Sequence, residues 1–246
     1  MTGSALVVLT PVESKRLIAK AVAALPIVLE AQKEGYIMIG GGTTNAYVVE
    51  ELTGRQIPDK TKYTAGIVYG AELAVTPEET RIKPVILKNG VEIDADWKEI
   101  LNQLGPRDVF IKGANAIDAE GNAGVLVANP TGGTIGQAWG LLTARGVNLI
   151  MPVGLEKMVP SVHEAARNCA IGLWDHVTGL SCGMIPVSNA LIITELEALA
   201  TLFGVHAVHV ASGGQGDGQG AVVIALHGTK EDVDLAFDFI QKEIKV

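Results

Sequence analysis

The sequence contains little cysteine, few aromatic residues and no long apolar run. Its two cysteines, Cys169 and Cys182, belong to no Cys-x-x-Cys motif, so we interpret them as reduced thiols and expect no disulfide framework or cysteine-based metal site. No apolar stretch approaches the ~20 residues that span a bilayer, and the run from Ala5 to Leu9 lacks the basic flank typical of a signal peptide. We therefore expect a cytoplasmic protein with no membrane partner.

Basic residues are also scarce relative to acidic ones. The chain has 19 lysines and arginines against 27 aspartates and glutamates, which gives a net charge of -8. No basic stretch is long enough to neutralise several phosphates of a polynucleotide, so nucleic acid is not expected as a partner. The histidines have no spacing typical of metal ligands, so no metal site is predicted. They are His163, His176, His206, His209 and His227.

Aliphatic residues and glycine, in contrast, are abundant. Hydrophobic residues account for 48% of the 246 positions, although only 4% are aromatic and 19% are charged. This balance excludes a disordered or fibrous chain. The 29 glycines exceed the ~7% share of an average protein and indicate many tight turns. The mixture favours a layered α/β fold.

Signals for helices and strands alternate along the chain. Thr10-Pro11-Val12-Glu13 has the hydroxyl cap, the proline and the glutamate typical of a helix start. Pro26 predicts that two helices or one kinked helix follow. The apolar run Tyr36-Ile37-Met38-Ile39 predicts a buried strand, and Asn89-Gly90 between two apolar runs predicts a tight hairpin.

A glycine-rich loop follows the first buried strand. Gly40-Gly41-Gly42 lets backbone N–H groups approach an anion, and a helix capped by Thr43 or Thr44 would add its positive dipole end and hydroxyl donors. Together with Asn45 this loop is a candidate site for a phosphate or a carboxylate. It is not a P-loop, because no lysine precedes the threonines. A tight turn capped by a threonine is the alternative interpretation.

Several motifs resemble those of one superfamily. Ile39-Gly40-Gly41-Gly42-Thr43-Thr44 resembles the G-x-G-[ST]-T loop of the superfamily that contains ribose-5-phosphate isomerase, glucosamine-6-phosphate deaminase, the CoA-transferases and the LUD-domain proteins. The segment from Asp108 to Ile117 resembles the strand and turn that carry D-G-A-D-E-I in the isomerase. Gly132-Gly133-Thr134 is similar to its glycine-rich anion loop, and Leu155-Glu156-Lys157 lies where a lysine ends the next strand. The similarity covers about residues 30 to 175.

The resemblance implies a Rossmann-like, mainly parallel, three-layer α/β domain, which we place at residues 1–184 with a hairpin insertion near residues 82–93. The order of the later signals predicts a small ferredoxin-like β-α-β-β-α subdomain at residues 185–246. The glycine-rich link from Gly213 to Gly220 joins two strands of this subdomain. It is either a lid over a ligand or a hairpin loop.

The candidate ligand-binding residues lie at the predicted strand ends. They are Gly41, Gly42, Thr43, Thr44, Asn45, Lys112, Gly113, Asn115, Gly132, Gly133, Thr134 and Lys157. Asn115 and Ala116 stand where the isomerase has the acidic pair that removes a proton beside a carbonyl. Pro130-Thr131 replaces a lysine of the family pattern, for which Lys112 or Lys157 could substitute.

Three carboxylates are candidates for catalysis. Asp118 and Glu120 follow the segment from Asp108 to Ile117, and Glu156 follows a later predicted strand. In a crevice, a carboxylate could act as a base or as a nucleophile. The alternative for Asp118 and Glu120 is the polar tip of a hairpin, and Glu156 could instead pair with Lys157 or lie on the surface.

Three functions follow as hypotheses. The first is an enzyme, an isomerase or a transferase, acting on a small anionic metabolite such as a sugar phosphate, a nucleotide or a CoA ester. The second is a metabolite sensor on the same scaffold that has lost the base. The third is an assembly subunit in which the glycine loops are only structural. We expect a homo-oligomer, and the sequence identifies no cofactor.

Overall fold

The chain folds as a mixed α/β protein, and the computed structural model describes residues 1–245, with only the backbone described at position 67. Its α-helices are α1 (Pro11–Ala24), α2 (Pro26–Glu34), α3 (Thr43–Thr53), α4 (Trp97–Leu101), α5 (Gly133–Arg145), α6 (Val162–Arg167), α7 (Glu195–Phe203) and α8 (Lys230–Phe239). Across residues 1–245, no helix has the length and apolar character needed to cross a bilayer.

The strands form four sheets within the described residues. They are β1 (Thr2–Leu9), β2 (Tyr36–Ile39), β3 (Gly66–Tyr69), β4 (Glu72–Val75), β5 (Val85–Lys88), β6 (Val91–Ile93), β7 (Val109–Ile111), β8 (Ala116–Ile117), β9 (Ala123–Val127), β10 (Asn148–Pro152), β11 (Gly183–Val187), β12 (Leu191–Ile193), β13 (His206–Gly213) and β14 (Ala221–Thr229).

The largest sheet has six strands in the order β12-β10-β7-β2-β5-β6. The first four are parallel, with Ile37 opposite Val109 and Ile150 opposite Leu191. The last two form the predicted Asn-Gly hairpin, which is confirmed, since Asn89 and Gly90 have φ values of 49° and 77°. This hairpin extends the sheet because buried β5 pairs antiparallel with β2, and its interpretation as an insertion stays a prediction.

Successive residues of the parallel strands belong alternately to two apolar clusters, one on each face of the sheet. Ile37, Ile39 and Ile150 pack with α1, α2 and α3, whereas Met38 and Phe110 pack with α4 and α5. This alternation follows from the two-residue period of a strand. The sheet is therefore apolar on both faces, and its strand ends are where polar side chains collect.

The C-terminal strands do not pair as the ferredoxin-like prediction requires. Strand β12 joins the large sheet beside β10, and the antiparallel sheet β1-β14-β13 takes its third strand from the N-terminus. The expected self-contained pairing was wrong. Ile193 of β12 is buried in the main core, and the backbone of β1 pairs with the edge of β14 while its Val7 and Leu9 side chains are buried in the same core. The boundary near residue 184 stays a prediction.

The helix starts explain part of this arrangement. The predicted capping box of α1 is confirmed, with Thr10 and Glu13 each accepting the other's backbone N–H, and Pro26 begins α2 as a separate helix. The expectation that Thr43 or Thr44 caps α3 was wrong. Both threonines lie inside the first turn, and Gly42 is the N-cap residue without a side-chain hydrogen bond. The first N–H groups of α3 are thus not covered by a cap.

Candidate functional site

The carboxyl ends of the four parallel strands meet at one edge of the large sheet. Strand β2 leads into the glycine loop and α3, β7 into Lys112, β10 into a 3-10 turn at Leu155–Lys157, and β12 into α7. Open α/β sheets bind ligands at this edge. We call the polar side chains found here the strand-end cluster, which consists of Asn45, Lys112, Glu156, Lys157 and Glu195.

The glycine loop uses some of its N–H groups internally. The Gly40 N–H donates to the Ile111 oxygen at 2.9 Å and continues the parallel ladder, and the Gly42 N–H donates to the Tyr63 oxygen at 2.6 Å. The amides of Gly41, Thr43 and Thr44 also lie at the start of α3, and they have no acceptor among residues 1–245. These free donors are the part of the loop that an anion can use.

Asn45 carries a buried acceptor without a donor. Its side chain is fully buried, and its Nδ2 donates to the Gly40 oxygen at 2.7 Å and to the Ile111 oxygen at 3.4 Å. Because Nδ2 is committed to two carbonyl oxygens, Oδ1 faces away from them, and it makes no hydrogen bond within residues 1–245. A Cβ at Gly113 would lie 3.8 Å from Oδ1, so this acceptor faces the turn after β7.

Lys112 extends across the glycine loop. Its Nζ lies 3.4 Å from the Gly41 oxygen and 3.2 Å from the Gly113 oxygen, and a Cβ at Gly40 would lie 3.1 Å from its Cδ. No carboxylate of the described chain lies within 4.0 Å of Nζ. Burial and, to a smaller extent, the nearby charge of Lys157 lower the pKa of Lys112 to about 8.

Lys157 provides the second ammonium group. Its Nζ donates to the Ala114 oxygen at 2.9 Å, which places it on the turn that follows Lys112. Burial lowers the pKa of Lys157, the carboxylates of Glu156 and Glu195 oppose this shift, and the charge of Lys15 adds to it. Two ammonium groups therefore share one partly buried strand edge.

Glu156 occupies the space left by a glycine. A Cβ at Gly154 would lie only 1.8 Å from Oε2 of Glu156, although the backbone of Gly154, with φ −77° and ψ 148°, suits any residue. The carboxylate therefore fills the space beside Gly154, and a larger residue there would displace the Glu156 side chain. Oε2 is buried and has no hydrogen-bond partner in residues 1–245. A Cβ at Gly220 would lie 4.0 Å from the Glu156 Cβ, so the end of the glycine-rich link lies beside this carboxylate.

Glu195 is the functional candidate that the sequence did not single out. It begins α7, is fully buried, and accepts the Leu155 N–H at 2.9 Å through Oε2. Burial raises its pKa to about 7, although the Ser14 hydroxyl and the backbone N–H groups of Glu195 and Leu155 oppose the shift. Oε1 has no hydrogen-bond partner by geometry in the described chain. The available signal was its place directly after the buried strand that ends at Ile193.

Asp118 and Glu120 lie outside the strand-end cluster. They belong to the turn between β8 and β9, which confirms the interpretation of this segment as a hairpin tip. Burial acts to raise the pKa of Asp118, but hydrogen bonds from the N–H groups of Val162 and Asn122 outweigh it and lower the pKa. The Asp118 carboxylate thus ties the hairpin to α6, and Glu120 is exposed.

The remaining predicted residues also lie elsewhere. The Asn115 Oδ1 accepts the Leu126 N–H at 3.0 Å and supports the same hairpin. Gly132, Gly133 and Thr134 form the start of α5, which follows a strand of the separate sheet β11-β9-β8. No hydrogen bond of the described residues joins this second glycine loop to the strand-end cluster.

The residues present offer no metal centre of the usual kind. Over residues 1–245, no three His, Cys, Asp or Glu side chains gather closely enough to hold a metal ion. The two free thiols, Cys169 and Cys182, lie near each other in the chain segment after α6, and burial raises the pKa of Cys169 to about 11.

Comparison with protein-family models, with curated proteins and with solved structures found no match to this chain. The interpretation of function therefore depends on the geometry and charge of the strand-end cluster.

Proposed function

We propose that the strand-end cluster binds a small anionic metabolite. The observation that carries this proposal is the environment of Lys112, which is partly buried and has no carboxylate partner in the described chain. A charge that leaves water needs a partner of opposite sign, since desolvation is otherwise not compensated. An anion of the ligand supplies that partner.

The surrounding donors fit a phosphate or a carboxylate. The free amides of Gly41, Thr43 and Thr44 stand at the positive end of the α3 dipole, beside the Lys112 amine. Lys157 adds a second ammonium on the same turn. Backbone amides and two lysines together neutralise and orient a group that carries one or two negative charges.

The resemblance to the isomerase and CoA-transferase superfamily suggests the class of ligand, namely a sugar phosphate, a nucleotide or a CoA ester. A Rossmann-like three-layer arrangement is part of the same proposal. It is supported by the four parallel strands with apolar clusters on both faces. The second glycine loop, Gly132 to Thr134, is not part of the proposed anion site, because it starts from a different sheet.

The properties of Glu195 favour catalysis, as an isomerase or a transferase, over passive sensing of a metabolite. A buried carboxyl with a pKa of about 7 can both give and accept a proton at neutral pH, as general acid–base catalysis requires. Asp118 is not part of this proposal, because donated hydrogen bonds occupy both of its oxygens. A metabolite sensor or an assembly subunit remains the alternative if no turnover accompanies binding. Homo-oligomerisation and a cytoplasmic location stay predictions.

A thermal-shift series tests anion binding, because a ligand that binds only the folded state raises Tm. Sugar phosphates, nucleotides and CoA esters are compared with sodium chloride at equal ionic strength. Wild type is expected to show a rise in Tm that Lys112→Met reduces. Lys33→Met, which removes an exposed lysine near the end of α2 at the opposite edge of the sheet, serves as the control and is expected to keep the full shift. The absence of any shift with all three ligand classes contradicts the proposal.

A further inference from the structure

We propose that the Lys112 amine reacts with the carbonyl carbon of an anionic carbonyl compound and forms an imine. The substrate class is an oxo acid or a phosphorylated ketone or aldehyde. This inference rests on the proposed anion site and specifies both its ligand and its chemistry.

The contacts of Lys112 leave its amine available. Within residues 1–245, Nζ donates only to two carbonyl oxygens, those of Gly113 at 3.2 Å and Gly41 at 3.4 Å, and both distances are long for a charged donor. No carboxylate in residues 1–245 holds it as an ion pair. Lys157 lies close enough to act on it electrostatically, and a desolvated lysine beside a second cation is a recognised form of activated amine.

The two lysines have different surroundings, which assigns them different roles. Lys157 makes a short contact of 2.9 Å to the Ala114 oxygen and lies near the carboxylates of Glu156 and Glu195, which favour its charged form. Lys112 has no such neighbour, and its pKa of about 8 leaves a large neutral fraction under mildly alkaline conditions. Lys157 is thus the cation that holds the anionic group, and Lys112 is the nucleophile.

The covalent step balances without a metal or an oxidant. The lone pair of Nζ forms a C–N bond to the carbonyl carbon, and the π electrons of the carbonyl move to its oxygen. The two protons of the neutral amine then leave with that oxygen as water, and a C=N bond remains. A carbonyl compound and a lysine amine therefore give one imine and one water molecule.

The anionic group of the substrate sets the geometry of attack. The free amides of Gly41, Thr43 and Thr44 bind a carboxylate or phosphate near the start of α3, and Nζ of Lys112 lies beside the Gly41 oxygen. Carbonyl compounds without a negative charge lack this anchor. They are expected to react more slowly than oxo acids of similar size.

Reductive trapping of the full wild-type chain tests the proposal. The protein is incubated near pH 8 with pyruvate and sodium cyanoborohydride, which reduces an imine to a stable secondary amine, and peptides are quantified by mass spectrometry. Lys112 is expected to be labelled about tenfold or more faster than exposed Lys83 and Lys230, because its pKa of about 8 leaves about half of its amine neutral at this pH. Acetone, a neutral carbonyl compound, is expected to label Lys112 more slowly. Labelling of Lys112 no faster than Lys83 overturns the proposal.

Inorganic phosphate, which has no carbonyl group, separates this inference from anion binding. Selective labelling of Lys112 by pyruvate that becomes slower when phosphate is added, together with a rise in Tm with phosphate, supports both proposals. A rise in Tm without selective labelling overturns the imine and leaves anion binding in place. The absence of both effects overturns both proposals. Because these measurements use the wild-type chain, they do not depend on whether a Lys112 variant folds.

Discussion

Replacement of Lys112 by methionine is expected to stabilise the protein while removing its function. The pKa of Lys112 falls from 10.5 to about 8 on folding, which corresponds to a penalty of about 3 kcal/mol for the charged amine at neutral pH. Methionine fills a similar volume without a charge. Allowing for the lost contacts to the Gly41 and Gly113 oxygens, we expect the free energy of unfolding at pH 7 to rise by about 1–3 kcal/mol.

The pH dependence gives this prediction a sign that can be checked. Below pH 8 the amine is charged in both states, so wild type carries the full penalty. Between about pH 8 and 10.5 the unfolded chain binds more protons than the folded one, so wild type gains stability as pH rises. The advantage of Lys112→Met is therefore expected to shrink across this window and to be largest below it.

Urea unfolding followed by tryptophan fluorescence, repeated at several pH values, measures both effects. Lys83→Met is the matched control, because it removes an exposed lysine of the same charge and is expected to change stability by less than about 0.5 kcal/mol. A Lys112→Met variant that is less stable than wild type at pH 7 refutes the reasoning. A stability difference that does not change between pH 8 and 10.5 refutes it equally.

Three further predictions concern stability. Glu195→Gln removes a buried carboxylate whose pKa is raised from 4.5 to about 7, so it should stabilise the protein by up to about 3 kcal/mol at pH 8 in urea unfolding. This gain in stability should decrease as the pH falls from 7 to 4.5, because the wild-type carboxyl group then becomes protonated in the folded state. A loss of stability at pH 8 would contradict this prediction. Asp118→Ala leaves the donors of the β8–β9 turn unsatisfied and should cost about 2–4 kcal/mol, whereas a neutral result would show that the turn does not need the carboxylate. At the N-cap of α5, Gly132→Ala should lower Tm because φ is 79° and its Cβ would lie 2.9 Å from the Gly136 Cα. Inside α5, Gly140→Ala should stabilise by about 0.5–1 kcal/mol because its Cβ meets nothing within 4 Å. Equal shifts of the two variants in calorimetry would contradict this pair of predictions.

The sequence predicted the elements that local chemistry determines. The strand Tyr36–Ile39, the Asn89-Gly90 hairpin and the helix start at Thr10 depend on residues that are neighbours in the chain, so their patterns were sufficient. The pairing of β1 with β14 joins the two ends of the chain. No pattern within either segment specifies its partner, which is why the C-terminal strands were assigned to a separate unit.

The site was predicted in part, for a related reason. The sequence predicts Lys112 and Lys157 as site residues because Lys112 directly follows a buried strand and Lys157 lies in the loop after the next strand of the sheet, and the parallel order of those strands brings them together. Glu195 also follows a strand of this sheet, but it comes directly after Thr194, the N-cap residue of α7, and a glutamate in the first turn of a helix is common for structural reasons alone. Asp118 looked catalytic in the sequence, yet the N–H groups that occupy its oxygens include one from Val162 on a distant segment.

The pKa of the Lys112 amine, measured by NMR of its side chain with and without inorganic phosphate at constant ionic strength, tests anion binding at this edge most directly. A bound anion stabilises the ammonium form, so the pKa of Lys112 is expected to rise from about 8 when phosphate is added. A Lys112 pKa near that of exposed lysines in the free protein, or one that phosphate leaves unchanged, would contradict the account.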